Sequence, residues 1–293
     1  MDQVDHKSIV ELENILIAVN FSHKVTSEVL EAIKNRFNFI ESAAIKAYDG
    51  EIPNFKLCEQ DPFTRLSILC FKLIELKQNY NANHIPDSVF IDSVADLKLR
   101  QELYFDETKS FGLSIDDSIW LRHLFNMHLF KLNSLQFQIF EMKYLEQELL
   151  GGEYMFFSKE QKESLPADSP VINVHIQHSA DLSPIEVEKS FRLALVFFNK
   201  HYPTYKFKAF VCYSWLLYSK NKNLLAENSN ILKFAENFTI ISEVQDQEQA
   251  LESIYGKSNI AKDYYPMDTS LQRMAFLNLN YLGYACGIIA IEA

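Results

Sequence analysis

The spacing of apolar residues changes near residue 134, and this change constrains the fold more than any other feature of the chain. Before that point, apolar residues recur at helical spacing. After it, the segment Leu135–Lys143 alternates apolar and polar residues, as a half-buried strand does. We therefore predict a helical N-terminal domain over residues 1–134 and a second domain, built on a β-sheet, over residues 135–293.

Helix-start signals divide the first half into four predicted helices. Asp61-Pro62 supplies an N-cap followed by proline at the first helical position, and Ser114 to Asp117 forms a capping box. The four helices are predicted at residues 26–47, 62–76, 87–104 and 114–132. The last of them is apolar nearly all round, which indicates a buried helix.

Strands and helices alternate through the second half. Strands are predicted at residues 171–176, 207–213, 238–243 and 285–291, with a hairpin strand at 154–157, and helices at 183–200, from 229, at 247–255 and at 269–282. The last strand is an almost continuous apolar run, typical of a strand covered on both faces. This order predicts an α+β or α/β fold, in which helices pack on a mixed sheet.

The composition excludes several classes of protein. Of the 293 residues, 48% are hydrophobic and 23% are charged, which is typical of a globular chain. Apolar runs are too short to span a bilayer, and the first six residues are acidic where a signal peptide is basic, so we expect a cytoplasmic protein. The four cysteines are widely spaced, which favours reduced thiols in the core.

The charge pattern indicates one basic window in an acidic chain. The formal net charge of -11 argues against nucleic acid as a partner. Between Lys189 and Ala226, however, no Asp or Glu occurs, where the average composition gives about five. This window suits an anionic ligand, and chance clustering of solvated lysines is the alternative. Its basic residues are Lys189, Arg192, Lys200, Lys206, Lys208, Lys220 and Lys222.

Two residues on predicted strands are candidates for chemistry. His175 could transfer a proton, because the usual pKa of histidine lies near neutral pH, or it could be a structural histidine held by hydrogen bonds. Cys212 could be a nucleophile paired with His175, but a cysteine in an apolar strand is more typical of the core. His175 and His178 face opposite sides of an extended strand, so the pair does not predict a metal site.

Other candidates lie where strands end or helices begin. Ser214-Trp215 follows a predicted strand and Ser229 precedes a predicted helix. These positions suit a ligand anion, and helix capping explains them equally well. Arg273, next to Gln272, is a cation in the first turn of a predicted helix, where the helix dipole disfavours it. We interpret this as a functional or buried pairing role for Arg273.

Five segments, taken in order, resemble one protein family: Leu129–Phe137, Val171–Ile176, Phe210–Leu217, Ser229–Phe234 and Thr269–Arg273. This is a family of bacterial acyltransferase-domain proteins, which pair a helical N-acyltransferase N-terminal domain with a GNAT-like C-terminal domain. The resemblance covers nearly the whole chain. It implies that the second half has the acyl-CoA N-acyltransferase fold and that an acyl group passes from acyl-CoA to an amine.

The chain departs from the pattern of these proteins in three ways. GNAT proteins hold the CoA pyrophosphate with Gln/Arg-x-x-Gly-x-Gly/Ala at a helix N-terminus, and this chain has no such loop. Its nearest approach, Asn280 to Ala285, follows a predicted helix and precedes a strand, the reverse of the required order. Gln177 stands where the family implies proline. Gln138 stands where it implies glutamate, which removes one possible general base.

Residues and resemblance together predict an N-acyltransferase with acyl-CoA as co-substrate, a small-molecule amine as acceptor and no metal. His175 is the predicted base or water relay and Tyr213 the predicted acid. The predicted ligand contacts are Ser214, Trp215, Gln272 and Arg273, with Lys206 and Lys208 as counter-charge. The alternative is a non-catalytic protein that binds a small molecule or peptide on an acyltransferase fold, and the missing pyrophosphate loop favours it. Neither hypothesis includes a nucleic acid or membrane partner.

Overall fold

The computed structural model describes residues 6–143, 159–178, 180–256, 259–260 and 264–291. The chain divides into two compact units, Met1–Lys131 and Leu132–Ala293, where the sequence predicts a division after residue 134. The predicted hairpin strand at 154–157 lies outside the described residues. Within the described ranges, no helix has the length and apolar character that crossing a membrane requires.

The described part of the N-terminal unit is helical. Its helices are α1 (His6–Ala18), α2 (His23–Asn35), α3 (Phe37–Ile45), α4 (Pro62–Ala82), α5 (Asp87–Thr108) and α6 (Ile115–Phe125). Helix α4 packs against the other five, and its Leu66, Leu69 and Leu73 side chains are fully buried. The predicted starts of α4 and α6 are confirmed, because the Asp61 carboxylate caps α4 and the Ser114 hydroxyl caps α6.

The structure corrects the predicted helices at three places. Helix α1 precedes the first predicted helix. The predicted helix at 26–47 is two helices, because the backbone leaves the helical conformation at Arg36 (φ -131°), and α2 begins earlier, after the N-cap Ser22. The predicted helix at 114–132 ends at Phe125, because Met127 adopts a left-handed conformation (φ 55°) and the chain continues into strand β1 (Leu129–Leu132).

The C-terminal unit contains the predicted mixed sheet with packed helices. After β1, the described strands are β2 (Leu135–Glu141), β3 (Pro170–His175), β4 (Ala209–Ser214), β5 (Thr239–Val244) and β6 (Tyr284–Ala290). These six described strands lie in the order β1-β2-β3-β4-β6-β5. Strands β3 and β4 are parallel, whereas β2–β3, β4–β6 and β5–β6 are antiparallel. The helices are α7 (Lys159–Ser164), α8 (Pro184–His201), α9 (Asn230–Ala235), α10 (Glu248–Tyr255) and α11 (Ser270–Leu277).

The two faces of the sheet have different surroundings. Helix α8 connects β3 to its parallel neighbour β4, and its Phe191 ring packs against the rings of Phe137, Phe210 and Phe238. We call this side the α8 face. The opposite face has its own apolar core, which includes Val211 of β4. The central strands are therefore covered on both faces, which explains their near-continuous apolar sequences.

Candidate functional site

The sheet opens between its two parallel strands. Strand β3 pairs with β2 over six residue pairs, and β4 pairs with β6 over six. The register between β3 and β4 covers only Ile172–Asn173 with Phe210–Val211, although β3 continues to His175 and β4 to Ser214. Backbone N–H and C=O groups beyond these pairs lie outside the β3–β4 ladder. They can bind a ligand at the carboxyl ends of the two strands.

Four polar side chains lie beside this opening, on the face opposite α8. The register of β2 with β3 pairs Gln136 with His175 and Gln138 with Asn173, and alternation along each strand puts all four on one face. The Oε1 atom of Gln138 lies 2.8 Å from His175 Nε2 and 3.4 Å from Asn173 Nδ2. We call Gln136, Gln138, Asn173 and His175 the polar cluster.

The polar cluster is buried and incompletely hydrogen-bonded. Gln136, Gln138 and Asn173 are 2%, 4% and 6% exposed, and His175 is half-buried. Among the described residues, Gln136 Nε2 and Asn173 Oδ1 have no hydrogen-bond partner. Each such buried atom costs about 1–3 kcal/mol, so these amides stabilise the fold less than apolar residues would. Polar residues that weaken a core are typical of functional sites.

Tyr213 lies on the same face as the polar cluster. Because Asn173 is in register with Val211, the last residues of the two strands bring His175 and Tyr213 to neighbouring strand ends. The Tyr213 hydroxyl donates to the carbonyl oxygen of Lys143 over 2.7 Å. The two residues predicted for proton transfer therefore occupy neighbouring strand ends, but the Tyr213 hydroxyl is directed to Lys143, whose neighbour Met142 bonds Ser169 beside the start of β3.

Cys212 is not part of this arrangement. Its side chain is fully buried on the α8 face, whereas His175 lies on the opposite face. Burial, reinforced by the neighbouring Cys286 thiol, raises the pKa of Cys212 far above its usual value. A thiol that stays protonated is a poor nucleophile. The structure therefore confirms the core role that the sequence favours for Cys212.

Ser214 is the last residue of β4 and Trp215 follows it, and both are hydrogen-bonded within the protein. The Ser214 hydroxyl accepts from the Leu216 N–H over 3.2 Å and caps the short 3₁₀ turn Trp215–Leu217. The Trp215 N–H donates to Gln249 Oε1 over 2.7 Å, and Asn221 Nδ2 donates to the Trp215 carbonyl oxygen over 2.8 Å. Their position beside the opening suits contact with a ligand. Their hydrogen bonds, however, fit the alternative in which these residues cap the turn that follows the strand.

Lys206 and Lys208 lie at the other end of β4. Both are exposed and precede Ala209, the first residue of the strand, whereas Ser214 is its last. A strand rises about 3.3 Å per residue, so roughly 17 Å separates the two ends of β4. These lysines therefore do not lie beside Ser214, and their role as counter-charge to a ligand stays a prediction. Lys220 of the same acid-free window does follow β4, and its Nζ donates to Gln245 Oε1 over 3.1 Å.

Gln272 and Arg273 lie on α11, which packs against α10. The Gln272 side chain completes a capping box with Thr269. Arg273 Nη1 donates to the carbonyl oxygens of Met267 over 2.7 Å and Asp268 over 3.0 Å. These bonds account for a cation in the first turn, where the helix dipole disfavours it. Because Arg273 is exposed, the predicted buried pairing is wrong.

The N-terminus of α8 carries carboxylates rather than a glycine-rich loop. Residues 176–183, which connect β3 to α8, contain no glycine. Asp181 Oδ1 accepts from the Ser183 N–H over 2.8 Å, and this bond holds the pKa of Asp181 below its usual range. Glu186, in the first turn, accepts from Asn133 Nδ2 over 2.7 Å. Both carboxylates compete with a phosphate for the positive end of the helix dipole.

Sequence reasoning missed Gln136 and Asn173, and treated Gln138 only as an absent base. One signal was present: the polar positions of the alternating strand β2 begin with two uncharged amides, whereas a solvent-facing strand is usually rich in charged residues. No metal site was predicted. Within the ranges that the structure describes, no group of three or more His, Cys, Asp or Glu residues could hold a metal ion.

Comparison with known proteins gives one family and several solved structures. The sequence model of a family described as a GNAT-like C-terminal domain matches residues 129–285. A structure of an acyltransferase in complex with decanoyl-CoA and teicoplanin is similar to this chain, with 16% identity, a TM-score of 0.73, and coverage of 97% of this chain and 88% of that one. A structure of an acyltransferase in complex with decanoyl-CoA is similar over the same shares, with 18% identity and a TM-score of 0.72. A search of curated protein sequences finds no match.

Proposed function

The chain belongs to the family of proteins with a GNAT-like C-terminal domain, and on this basis we propose that it is an N-acyltransferase that moves an acyl group from acyl-CoA to an amine. The similar solved structures support the choice of donor, because they are acyltransferases in complex with decanoyl-CoA. The acceptor in this proposal is a small molecule with a primary or secondary amine.

The observation that carries the proposal is the opening between β3 and β4, with the polar cluster beside it. The pantetheine arm of an acyl-CoA is an extended chain with two amides, which can pair with strand backbone outside a ladder. An arm placed there would bring the thioester to the strand ends that carry His175 and Tyr213. The opening therefore combines backbone groups that can hold the donor with side chains that can transfer protons.

The proposed reaction is direct transfer. The amine nitrogen attacks the thioester carbonyl carbon, a C–N bond forms, and the C–S bond breaks. His175 accepts the proton that the amine loses, and the CoA thiolate leaves with a proton from Tyr213. Backbone N–H groups at the opening stabilise the oxyanion of the tetrahedral intermediate. To act as the acid, the Tyr213 hydroxyl exchanges its bond to the Lys143 carbonyl for one to the leaving sulfur.

Ser214 is proposed to contact the donor through its backbone and Trp215 through its indole ring, since the Ser214 hydroxyl and both backbone groups of Trp215 already have partners. Lys220 replaces Lys206 and Lys208 as the proposed counter-charge, because it follows β4. Gln272 and Arg273 receive no role in binding, since their described bonds hold the start of α11.

The alternative, a non-catalytic protein that binds a small molecule on the same fold, has one specific observation in its favour. The N-terminus of α8, where GNAT proteins hold the pyrophosphate, carries Asp181 and Glu186 and no glycine. This disfavours tight binding of the nucleotide end of CoA. It does not bear on the pantetheine arm or on the thioester.

Two measurements test the proposal. First, CoA, acetyl-CoA and decanoyl-CoA are screened by thermal shift, where a ligand at 100 times its Kd adds about 2.7 kcal/mol to the free energy of unfolding. The proposal expects a shift with an acyl-CoA, and it is wrong if millimolar concentrations of all three leave Tm unchanged. Second, release of free thiol from the acyl-CoA that binds is followed in the presence of a panel of amines.

Substitution of His175 separates an enzyme from a binding protein. The proposal expects His175→Gln to lower thiol release about 10²–10⁴-fold while the acyl-CoA thermal shift remains. The matched control is His178→Gln, an exposed histidine three residues further along the chain, which should retain activity. A protein that binds acyl-CoA but releases no thiol with any amine supports the binding alternative.

A further inference from the structure

We propose that a cleft beside the end of β5 binds the acceptor, and that Asp246 selects acceptors with a second cationic group besides the amine that is acylated. The cleft has a volume of about 430 Å³, which lies within the range of small-molecule sites. This role in acceptor selection rests on the proposed function, whereas binding of a cation in the cleft does not. The cleft is lined by Gln245, Asp246, Gln247, Leu279, Asn280 and Leu282.

The cleft lies at the same edge of the sheet as the opening. Strands β3 and β4 are parallel and both end at this edge, where Ser214 of β4 pairs with Ala285 of β6. Val244, the last residue of β5, pairs with Tyr284, the first residue of β6. The segment Gln245–Gln247 therefore leaves the sheet beside the end of β4. Since β5 is two strands from β4, and neighbouring strands are about 4.8 Å apart, roughly 10 Å separates the two ends.

Hydrogen bonds connect the cleft to the segment that follows β4. Lys220 Nζ donates to Gln245 Oε1 over 3.1 Å, and Gln245 Nε2 donates to the carbonyl oxygen of Asn280 on the other wall of the cleft. The Trp215 N–H donates to Gln249 Oε1 over 2.7 Å. The two walls are therefore bonded to each other and to residues near those that the proposed function places beside the donor.

Asp246 gives the cleft its preference for a cation. The carboxylate is half-buried, and its Oδ1 accepts from the N–H of Glu248, the first residue of α10, over 2.9 Å. Among the described residues, its Oδ2 has no hydrogen-bond partner. The Gln247 and Asn280 side chains add neutral donors and acceptors to the lining. The cleft therefore fits a polar ligand that carries a positive charge.

The charges near the cleft also favour a cation. Glu243, Asp246 and Glu248 place three carboxylates within six residues. Lys220 is the one cation that bonds a cleft residue in the part of the chain that the structure describes. The formal net charge of -11 adds a long-range attraction for cations. An ammonium group in the cleft therefore meets an excess of negative charge.

The position of the cleft specifies the class of acceptor. The amine that reacts gives up its proton at the opening, so the group that Asp246 holds is a second one, which stays charged. The opening lies on the far side of β4 from the cleft, and strand spacing puts the two places roughly 12 Å apart. The acceptor class is therefore a molecule with a reactive amine and a second cationic group about this far away.

The direct test is calorimetric binding of 1,8-diaminooctane, an extended diamine of about this span, to the full chain without acyl-CoA. Asp246→Asn removes the charge but keeps an oxygen that can accept from the Glu248 N–H, so the start of α10 is retained. We expect it to weaken binding about 10-fold or more at low salt, because hydrogen bonds to charged groups are strong. The matched control is Glu248→Gln, which removes a neighbouring exposed carboxylate that does not line the cleft, and it should change binding less than about twofold.

The kinetic test compares 1,8-diaminooctane with 8-amino-1-octanol, in which a hydroxyl replaces the second amine. In the wild type, kcat/KM for thiol release should be about 10-fold higher with the diamine, because only the diamine has a cation for Asp246 while its other end reacts. Asp246→Asn should lose this preference, mainly through a higher KM for the diamine. Glu248→Gln should keep it.

The outcomes separate this inference from the proposed function. The inference is wrong if the wild type binds no diamine at millimolar concentration, if Asp246→Asn binds it as tightly as the wild type, or if Glu248→Gln loses as much as Asp246→Asn. Transfer to amines with the same preference in the wild type and Asp246→Asn supports the proposed function and contradicts the inference. Binding that depends on Asp246, without transfer to any amine, supports the cation site in the cleft and contradicts the proposed function.

Discussion

Replacement of Gln136 by leucine tests whether the polar cluster is present for function rather than for stability. Gln136 is 2% exposed, and its Nε2 atom has no partner among the described residues. Leucine is similar in size and has no polar atoms, so Gln136→Leu removes an unpaired donor and adds apolar contact. We expect the variant to be more stable than the wild type and less active in acyl transfer.

The expected gain follows from two opposing contributions. An unpaired buried donor costs about 1–3 kcal/mol, which the leucine variant recovers. A branched side chain in a site shaped by glutamine costs about 1 kcal/mol in packing. The free energy of unfolding should therefore increase by about 1 kcal/mol, which corresponds to roughly 2–4 °C in Tm. An ordered water bound to Nε2 would bring this increase towards zero.

Two further variants calibrate the measurement, which is chemical denaturation followed by circular dichroism. Ser190→Ala removes a buried hydroxyl that donates to the Glu186 carbonyl oxygen over 2.7 Å and accepts from the Ser134 N–H over 3.1 Å. We expect Ser190→Ala to lower the free energy of unfolding by about 1–3 kcal/mol, because the hydrogen-bond partners of the hydroxyl are left unpaired. Thr26→Val, on α2, removes another buried oxygen that has no partner in the described part of the chain, and it should be neutral or slightly stabilising.

Either of two results for Gln136→Leu would contradict a functional role for an unpaired Gln136 amide. A loss of more than about 1 kcal/mol in Gln136→Leu, comparable to Ser190→Ala, would show that the Gln136 amide is hydrogen-bonded in the folded protein. Thiol release and acyl-CoA binding at wild-type levels in Gln136→Leu would show that the polar cluster is not part of the site. A stable variant with lower activity is the combination that only a functional role explains.

Three other predictions concern stability and are measured in the same way. Burial, and next the Arg122 and His128 charges, lower the pKa of His123 to about 4. As the pH falls, the His123 imidazole therefore binds a proton in the unfolded chain before it does in the folded protein. The free energy of unfolding should fall by about 1–2 kcal/mol from pH 6.5 to 4 after allowance for solvent screening, and by less in His123→Gln. Asp96→Ala should lower the free energy of unfolding by about 3 kcal/mol, because the buried carboxylate accepts from Trp120 Nε1 (2.9 Å) and Arg100 Nε (3.2 Å). A decrease of less than about 1 kcal/mol would contradict this. Gly287→Ala should lower the free energy of unfolding by about 2 kcal/mol or more, since the new Cβ would lie 2.8 Å from Phe238 Cβ and 3.0 Å from Leu217 Cδ1. A variant as stable as the wild type would show that β6 shifts to make room.

Helix starts could be predicted from the sequence because their chemistry is local. Asp61 precedes a proline and accepts from the N–H groups of Phe63 and Thr64, all within four residues. The end of α6 could not be predicted in this way. Apolar residues continue from α6 into β1, and apolar spacing alone does not distinguish a buried helix from a short buried strand. The left-handed conformation of Met127, which ends the helix, has no signal in its residue type.

The polar cluster shows a different limit. Alternation in Leu135–Lys143 indicates a half-buried strand, and this interpretation places Gln136 and Gln138 toward solvent. Their burial depends on which strand lies beside β2 and in what register, since Asn173 and His175 come from 35 or more residues further along the chain. Register is a property of the folded sheet, and no local pattern specifies it. His175 itself could be predicted because its chemistry does not depend on its neighbours.

The sequence counts the charges of the basic window along the chain, whereas the structure divides them along the sheet. Strand β4 divides the window: Lys206 and Lys208 precede it, and Lys220 and Lys222 follow it. In an open sheet, ligands bind at the carboxyl ends of parallel strands, so only residues that follow β3 and β4 can meet there. If this reasoning is correct, Lys220→Gln should weaken acyl-CoA binding at low salt, and Lys206→Gln with Lys208→Gln should not. Equal effects of both changes would mean that the lysines act through the overall charge of the protein rather than at the opening.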